Sequence, residues 1–329
     1  MPTERPLRLG LLGCADIAIR RVLPTAATLP DVDLVAVASR DLAKAESAAR
    51  PYGADPVAGY RALLDRDDVD AVYVPLPSGL HAPWVRRALR AGKHVLAEKP
   101  LTTSLADTVA LVEQARSANL VLRENFMFVH HGLHHHVRRL LDDGVIGTVR
   151  WLSAAFAIPT RPADDIRHRP ELGGGALFDV GAYPVRVAQF LLGGDLDVVG
   201  ATLRHDPVYG VDLSGAVLLQ RPKDGVSAQL AFGLEHRYTS TYQLVGTTGT
   251  LTVEHAFTPP AHHRPVLRIE RQDHREEHVL AADDQCRNAL AAFARAVREG
   301  PLVDESIVLQ AELVERAHRA ASGQPSSAR

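Results

Sequence analysis

Over its first 124 residues the chain alternates short apolar runs with stretches of helical spacing, joined by brief turns. The apolar runs are Leu7–Gly13, Leu34–Ser39, Ala71–Pro75, His94–Ala97 and Val121–Asn125. Helix-like segments start at Asp16 and cover Pro83–Ala91 and Ser104–Ala118, with Pro24 predicting a kink in the first. Near-continuous apolar runs between helices read as parallel strands buried on both faces. The alternation predicts a doubly wound parallel sheet as one domain, residues 1–124.

From residue 125 to 329 the pattern changes. A helical stretch, His130–Asp143, precedes an alternating strand, Val149–Ile158, and a loop rich in Pro, Arg and Asp. A helix is predicted from Ala176 to Leu192. Strand-like runs then follow one another without helices between them: Val198–Arg204, Ser214–Leu219, Val226–Phe232, Thr241–Val245, Thr250–Val253 and Val266–Glu270. Tight connections such as Lys223–Asp224–Gly225 imply a mostly antiparallel open sheet. Helices at Gln285–Arg298 and Glu305–Ala321 close the chain, free to pack back on the first domain, and the tail Ser322–Arg329 is expected to fray. The fold class is therefore α/β, a parallel dinucleotide-type domain followed by an α+β domain for substrate binding and oligomerisation.

Charge and composition exclude several classes of function. Lys and Arg total 37 against 39 Asp and Glu, a net charge of -2, so no broad positive field exists to hold nucleic acid. No apolar stretch approaches the roughly 18 residues of a membrane span, and Met1–Arg8 lacks a secretion-signal core. Two cysteines, Cys14 and Cys286, make no disulfide framework and suit the cytoplasm. Only Lys44, Lys93, Lys99 and Lys223 are lysine among the basic residues. Where arginine serves as the general cation, a retained lysine points to use of its titratable amine.

The first strand runs into Gly13-Cys14-Ala15-Asp16-Ile17-Ala18. Gly13 and Ala18 fit the first and third positions of a dinucleotide fingerprint, and Ala15 stands at the second. A helix N-terminus there presents amide dipoles to a pyrophosphate; the plainer alternative is an ordinary tight turn. At the end of the second strand, where an NAD site carries an acid, stand Ser39 and Arg40, with Lys44 one turn on. A hydroxyl and a guanidinium suit a 2′-phosphate, hence NADPH; otherwise both basic residues are solvated and Asp41 reaches a ribose.

Lys99 closes His94–Lys99, and strand carboxyl ends are where ligands meet such a sheet. It either serves a proton-transfer role beside a nicotinamide or pairs with Glu98 at the surface. Asp179 and Tyr183, behind the glycine run Gly173–Gly175, are four apart and share a helical face. They bind sugar hydroxyls and relay a proton, or they are a helix-start charge and a half-buried aromatic. The histidines 130, 131 and 134–136 offer i, i+4 pairs, but no carboxylate or cysteine completes a ligand set in sequence, and no metal is expected. Cys14 is read as a small packing residue, or as a thiol with a lowered pKa at a helix N-terminus.

Taken in order and spacing, Gly10–Ala18, Ala97–Thr102, Glu124–Phe128 and Gly173–Tyr183 resemble the Gfo/Idh/MocA family of NAD(P)-dependent oxidoreductases over nearly the whole chain. Glu98-Lys99-Pro100 is the most specific motif. Many members carry histidine where this chain has Tyr183, and the tyrosine form is similar to the sugar-reductase branch. Cys14–Arg20, Val72–His81, Glu124–His131 and Gly173–Arg186 are similar to nucleotide-sugar 3-ketoreductases of deoxysugar biosynthesis.

That resemblance implies a Rossmann first domain and NADPH-dependent reduction of the C3 ketone of a dTDP-3,4-diketo-2,6-dideoxyhexose. The alternative it implies is an NADP-dependent dehydrogenase of free sugars or diols, similar to xylose or dihydrodiol dehydrogenases. A non-catalytic NADP(H)-binding regulator is a third reading. By the same resemblance Gly13, Cys14, Ala15, Asp16, Ile17 and Arg20 cradle the pyrophosphate. Ser39, Arg40 and Lys44 take the 2′-phosphate, and Tyr60, Leu76, His81, Glu98 and Asn125 line the cofactor. Lys99 donates the proton, Tyr183 polarises the same oxygen or relays the proton, and Asp179 holds a substrate hydroxyl or orients Lys99. Arg161 and Arg167 are charge-based candidates for anchoring the dTDP diphosphate. A homodimer or homotetramer is implied as well.

Overall fold

The computed structural model describes residues 5–300 and 304–323, which fall into two compact units. The first runs to Met127 and takes in Cys286–Val308; the second comprises Phe128–Gln285 and the chain from Leu309. The predicted division at 124/125 thus lies three residues before the structural one, and a late segment returns to the first unit.

Six parallel strands form the first sheet: β1 (Leu7–Leu12), β2 (Val32–Ser39), β3 (Asp55–Ala58), β4 (Ala71–Val74), β5 (His94–Glu98) and β6 (Leu122–Asn125). Their order is β3-β2-β1-β4-β5-β6, so the winding reverses between β1 and β4. Ligands bind such sheets at the strand carboxyl ends beside that reversal. Leu9, Leu11, Tyr73 and Leu96 pack on one face with Cys286, Leu290, Phe293 and Ala294 of the helix Gln285–Glu299. Val72, Val74 and Ala97 pack on the other with Val85 and Leu89 of His81–Arg90 and Leu111 of Leu105–Ser117.

β3 has no counterpart in the sequence reading. It is four residues long, carries Pro56 and forms the sheet edge, where a missing N–H costs no ladder bond. The distortion expected at Pro24 lies just ahead of it: Ala18–Val22 is a widened turn in which the Leu23 N–H reaches the Ala18 carbonyl. An i→i−5 turn of this kind accommodates a break in the α-helical ladder.

The second unit holds eight strands: β7 (Val149–Ala157), β8 (Asp197–His205), β9 (Asp212–Gln220), β10 (Ser227–Gly233), β11 (Thr239–Gly246), β12 (Thr250–Glu254), β13 (Val266–Arg271) and β14 (His274–Val279). Their order is β14-β13-β12-β11-β7-β10-β9-β8, antiparallel except for the parallel pair β7–β10. β14 was not legible because its sequence, HREEHV, lacks an apolar run. It is held to β13 by backbone pairing and by Arg268–Glu277 and Arg271–Glu276 ion pairs.

Leu152, Phe156, Leu230, Phe232, Tyr242 and Leu244 are buried on one face, against which the helix Ala182–Leu192 packs. The alternate positions, Trp151, Ser153, Leu218, Gln229 and Ala231, lie on the opposite face. Among the described residues no helix is long and apolar enough to cross a membrane. The expected fraying beyond Gly323 lies outside the described residues.

Candidate active site

In the first unit, β1 turns at Gly13, whose φ of +118° and tight surroundings exclude a side chain: a Cβ there would stand 2.8 Å from Leu76 Cδ2. The Gly13 N–H donates to the Ala38 carbonyl at 2.9 Å, fixing the turn against β2. Ala15 and Ile17 lead into the helical turn that follows, where the Ile19 N–H donates to the Ala15 carbonyl. Arg20 Nε donates to Asp16 Oδ1 at 2.7 Å, an exposed pair within one turn. Cys14 is half-buried with its Sγ 3.8 Å from the Lys44 carbonyl. Burial pushes its thiol up, outweighing Ser39 and Lys44, so the structure favours the packing role over an activated thiol.

At the end of β2 the Asp41 carboxylate accepts the N–H groups of Ala43 at 3.0 Å and Lys44 at 3.4 Å. It is the N-cap of the helix Leu42–Ala49, and is spent on that task. Ser39 is buried beside it, its Oγ accepting the Asp41 N–H at 3.2 Å, while Arg40 and Lys44 are exposed. Tyr60 faces Arg40; burial raises the phenol while the guanidinium charge opposes that rise. The Tyr60 ring meets Trp84 edge-on at 5.0 Å, and Arg87 lies 4.9 Å over the indole. Trp84 was not singled out from the sequence, where it reads as one more aromatic on an amphipathic helix.

The ends of β4 and β5 are joined through His81. Its buried ring spans the Leu76 carbonyl at 2.6 Å and the Pro100 carbonyl at 2.9 Å, and burial pushes its pKa down. Lys99 follows directly on β5 and precedes a cis peptide to Pro100. Beside it, Glu98 Oε1 accepts from the Tyr73 hydroxyl at 2.6 Å and from Asn125 Nδ2 at 2.7 Å. Desolvation raises the Glu98 carboxyl, and Tyr73, Asn125 and the Lys99 charge oppose it. Glu98 is thus tied to the sheet, not a loose surface partner for Lys99.

The Asn125 amide is buried, and its Oδ1 has no partner among the described residues. An orphaned buried acceptor is costly, and a donor such as a carboxamide would complete it. With the Gly13 turn and Ser39–Arg40, this is a residue set that fits a bound nicotinamide dinucleotide phosphate.

In the second unit a widened turn, Leu177–Gly181, leads into the helix Ala182–Leu192. Asp212 Oδ2 accepts the Leu177 N–H at 2.7 Å at this entry, and burial raises that carboxyl. Asp179 lies in the widened turn, one turn ahead of Tyr183. The half-buried Tyr183 ring packs among Phe156 at 4.9 Å, Phe257 at 5.7 Å and Phe128 at 5.9 Å. Arg161 is exposed. Arg167, by contrast, is engaged with Asp179 and Asp165, a cluster that residues twelve apart in an irregular loop did not announce.

The histidines disperse: His134 lies between Tyr242 and Ala256, His135 against Phe190 and His136 against His278. Among the described residues no group of three or more His, Cys, Asp or Glu is arranged to hold a metal.

Comparison with known proteins covers both units. Residues 7–126 match the oxidoreductase family with an NAD-binding Rossmann fold, and residues 134–252 match the GFO/IDH/MocA C-terminal domain. The chain is 56% identical over 330 residues to the dTDP-3,4-didehydro-2,6-dideoxy-alpha-D-glucose 3-reductase of Streptomyces violaceoruber, spanning 97% of this chain and 96% of that protein. It is 36% identical to D-xylose 1-dehydrogenase (NADP(+)) 2 of Haloferax volcanii, over 91% of this chain and 92% of the relative. The crystal structure of KijD10, a 3-ketoreductase from Actinomadura kijaniata in complex with NADP and TDP-benzene, superposes with a TM-score of 0.93 at 50% identity, covering 96% of this chain and 98% of that one. A dinucleotide-type sheet ending in Glu98-Lys99-Pro100, a second unit with an open sheet behind a tyrosine helix, and matches along both units place the chain in the Gfo/Idh/MocA family of oxidoreductases.

Proposed function

We propose that this protein is an NADPH-dependent 3-ketoreductase that reduces the C3 ketone of dTDP-3,4-diketo-2,6-dideoxyhexose to dTDP-4-keto-2,6-dideoxyhexose, a step of deoxysugar biosynthesis for antibiotics. The observation that carries this reading is the 56% identity to a reductase of that name along 97% of the chain. Asp41, committed to its helix, and the hydroxyl and guanidinium of Ser39 and Arg40 support NADPH over NADH.

Bound NADPH supplies a hydride to C3. Lys99 gives a proton to the oxygen that becomes negative as the C–O double bond is lost, so hydride and proton together yield the C3 hydroxyl. Glu98, held on Tyr73 and Asn125, fixes the end of the strand from which Lys99 projects. Tyr183, its ring fixed among three phenylalanines, directs its hydroxyl to the same oxygen or passes on the proton. Asp179 accepts a hydrogen bond from a sugar hydroxyl. Arg161 is the remaining candidate to meet the diphosphate. Neither Cys14 nor Cys286 is in a disulfide, which supports work in the reducing cytosol. The central patch of the second sheet's outer face, lined by Ser153, Ala216, Leu218, Gln229, Ala231 and Thr241, supports pairing with another copy of the chain as a homodimer or homotetramer.

The test is NADPH consumption with freshly generated dTDP-diketosugar, beside NADP+ reduction with aldoses. Turnover of the diketosugar is expected; turnover of aldoses alone would replace this reading with a free-sugar dehydrogenase. Lys99→Ala should lower kcat by roughly 10²–10⁴-fold with NADPH affinity, read by fluorescence titration, nearly unchanged. An undiminished kcat would remove Lys99 from the chemistry.

A further inference from the structure

The loop ahead of the tyrosine helix ties Asp179 into an ion-pair triad whose other two members, Arg167 and Asp165, have no role in the reaction scheme. Arg167 Nε donates to Asp179 Oδ2 at 2.5 Å, and Nη1 donates to the two Asp165 oxygens at 3.0 and 3.2 Å. The Arg167 backbone N–H also goes to Asp165 Oδ1, at 2.9 Å. The guanidinium is 29% exposed and each carboxylate 20%, so solvent screens these contacts only in part. The loop is closed onto the helix as well: the Arg167 carbonyl accepts the Gly175 N–H at 2.9 Å, and the Asp179 N–H reaches the Gly175 carbonyl.

Two carboxylates and one guanidinium leave the triad with a formal charge of -1 (two negative, one positive). A cation already compensated in this way has little attraction left for a diphosphate. What its planar fork does provide is direction, since two of its edges are committed to two carboxylates at fixed angles.

We infer that Arg167 is a positioning residue: it holds the Asp179 carboxylate as a fixed acceptor one turn ahead of Tyr183, is itself held by Asp165, and does not bind the substrate diphosphate. The inference rests on the reading of Asp179 as a contact for a sugar hydroxyl. It reassigns Arg167 from the substrate to the scaffold behind that contact.

Three variants of the full chain decide it: Arg167→Met, Arg167→Lys and Asp165→Asn, with folding checked by near-ultraviolet dichroism. Arg167→Met should bind dTDP, measured calorimetrically, within about twofold of the parent while kcat for the diketosugar falls roughly 10–100-fold, the range seen when an outer partner of a working ligand is lost. Added guanidinium should restore part of that kcat, and ethylammonium should not. Asp165→Asn should show a smaller loss of the same kind. Arg167→Lys keeps the charge without the fork, so it should lose kcat too, which preserves the test should the Met variant misfold. A dTDP affinity that drops more than tenfold with kcat intact would make Arg167 a diphosphate anchor and overturn the inference. An unmoved Asp179 rotamer in a crystal structure of Arg167→Met or Arg167→Lys would overturn it too, and this holds without any activity. Absence of diketosugar turnover in the parent protein would instead sink the functional reading, leaving the dTDP and rotamer measurements to decide the place of Arg167.

Discussion

His134 lies between Tyr242, whose hydroxyl donates to Nδ1 at 3.0 Å, and the Ala256 carbonyl, which accepts from Nε2 at 2.9 Å. The bond accepted at Nδ1 requires the neutral ring, and burial pushes its pKa down to about 3. An unfolded histidine titrates near 6.5, so the unfolded chain takes up this proton first as the pH falls. Stability from His134 is therefore whole above about pH 6.5 and declines below it, by about 2 kcal/mol between pH 7 and 5. Denaturant titrations should show that decline, and His134→Gln should lack that share of it; an identical slope in the variant would assign the acid sensitivity elsewhere.

Single residues differ in how far the sequence announces them. The strand-turn-helix grammar singles out Gly13, Ser39, Arg40 and Lys99 by position alone. Their partners are another matter: Tyr73 reaches Glu98 from 25 residues away, and Arg167 reaches Asp179 across an irregular loop. Within a buried strand, Tyr73 reads only as core, because apolar patterning carries no record of where a hydroxyl points.

At the scale of elements, the entry to the tyrosine helix depends on a close approach. Gly175 has a φ of +110°, and a Cβ there would come within 2.3 Å of Asp212 Oδ1, the carboxylate that caps Leu177. Gly175→Ala should thus combine backbone strain with overpacking and cost on the order of 2–4 kcal/mol. Calorimetry should show a Tm lowered by several degrees; an unchanged Tm would mean the cap is dispensable. Element types were legible wherever period and length agreed, as in the helices before and after β5. The edge strands β3 and β14 were not, since pairing to a neighbour, more than their own composition, makes them strands. The two widened turns, at Ala18–Val22 and Leu177–Gly181, each precede a proline, Pro24 and Pro184, by two or three residues. A proline alone predicts a disturbance of the helix without saying on which side it falls.

For the molecule as a whole, the outer face of the second sheet presents Trp151 at 41% and Leu218 at 38% exposure beside small residues such as Ala216 and Ala231. A central apolar patch of this kind, rimmed by the charged Arg204, Arg268 and Glu254, is costly to leave in water and supports self-association. Light scattering should give a mass of two or four chains, and Leu218→Asp with Ala231→Asp should lower it. A single-chain mass for the parent at micromolar concentration would reject the oligomer.

The chain leaves the first unit at Met127, re-enters it at Cys286 and leaves again after Val308. A gene fragment ending near codon 127 would encode every strand of the parallel sheet, yet leave Leu9, Leu11 and Tyr73 without Leu290 and Phe293 to cover them. On the ribosome this half cannot finish until most of the message has been read, so its maturation waits on the synthesis of the other. Chimeras between relatives must accordingly carry the stretch from 286 to 308 along with the amino-terminal part, however natural a single cut looks on the gene.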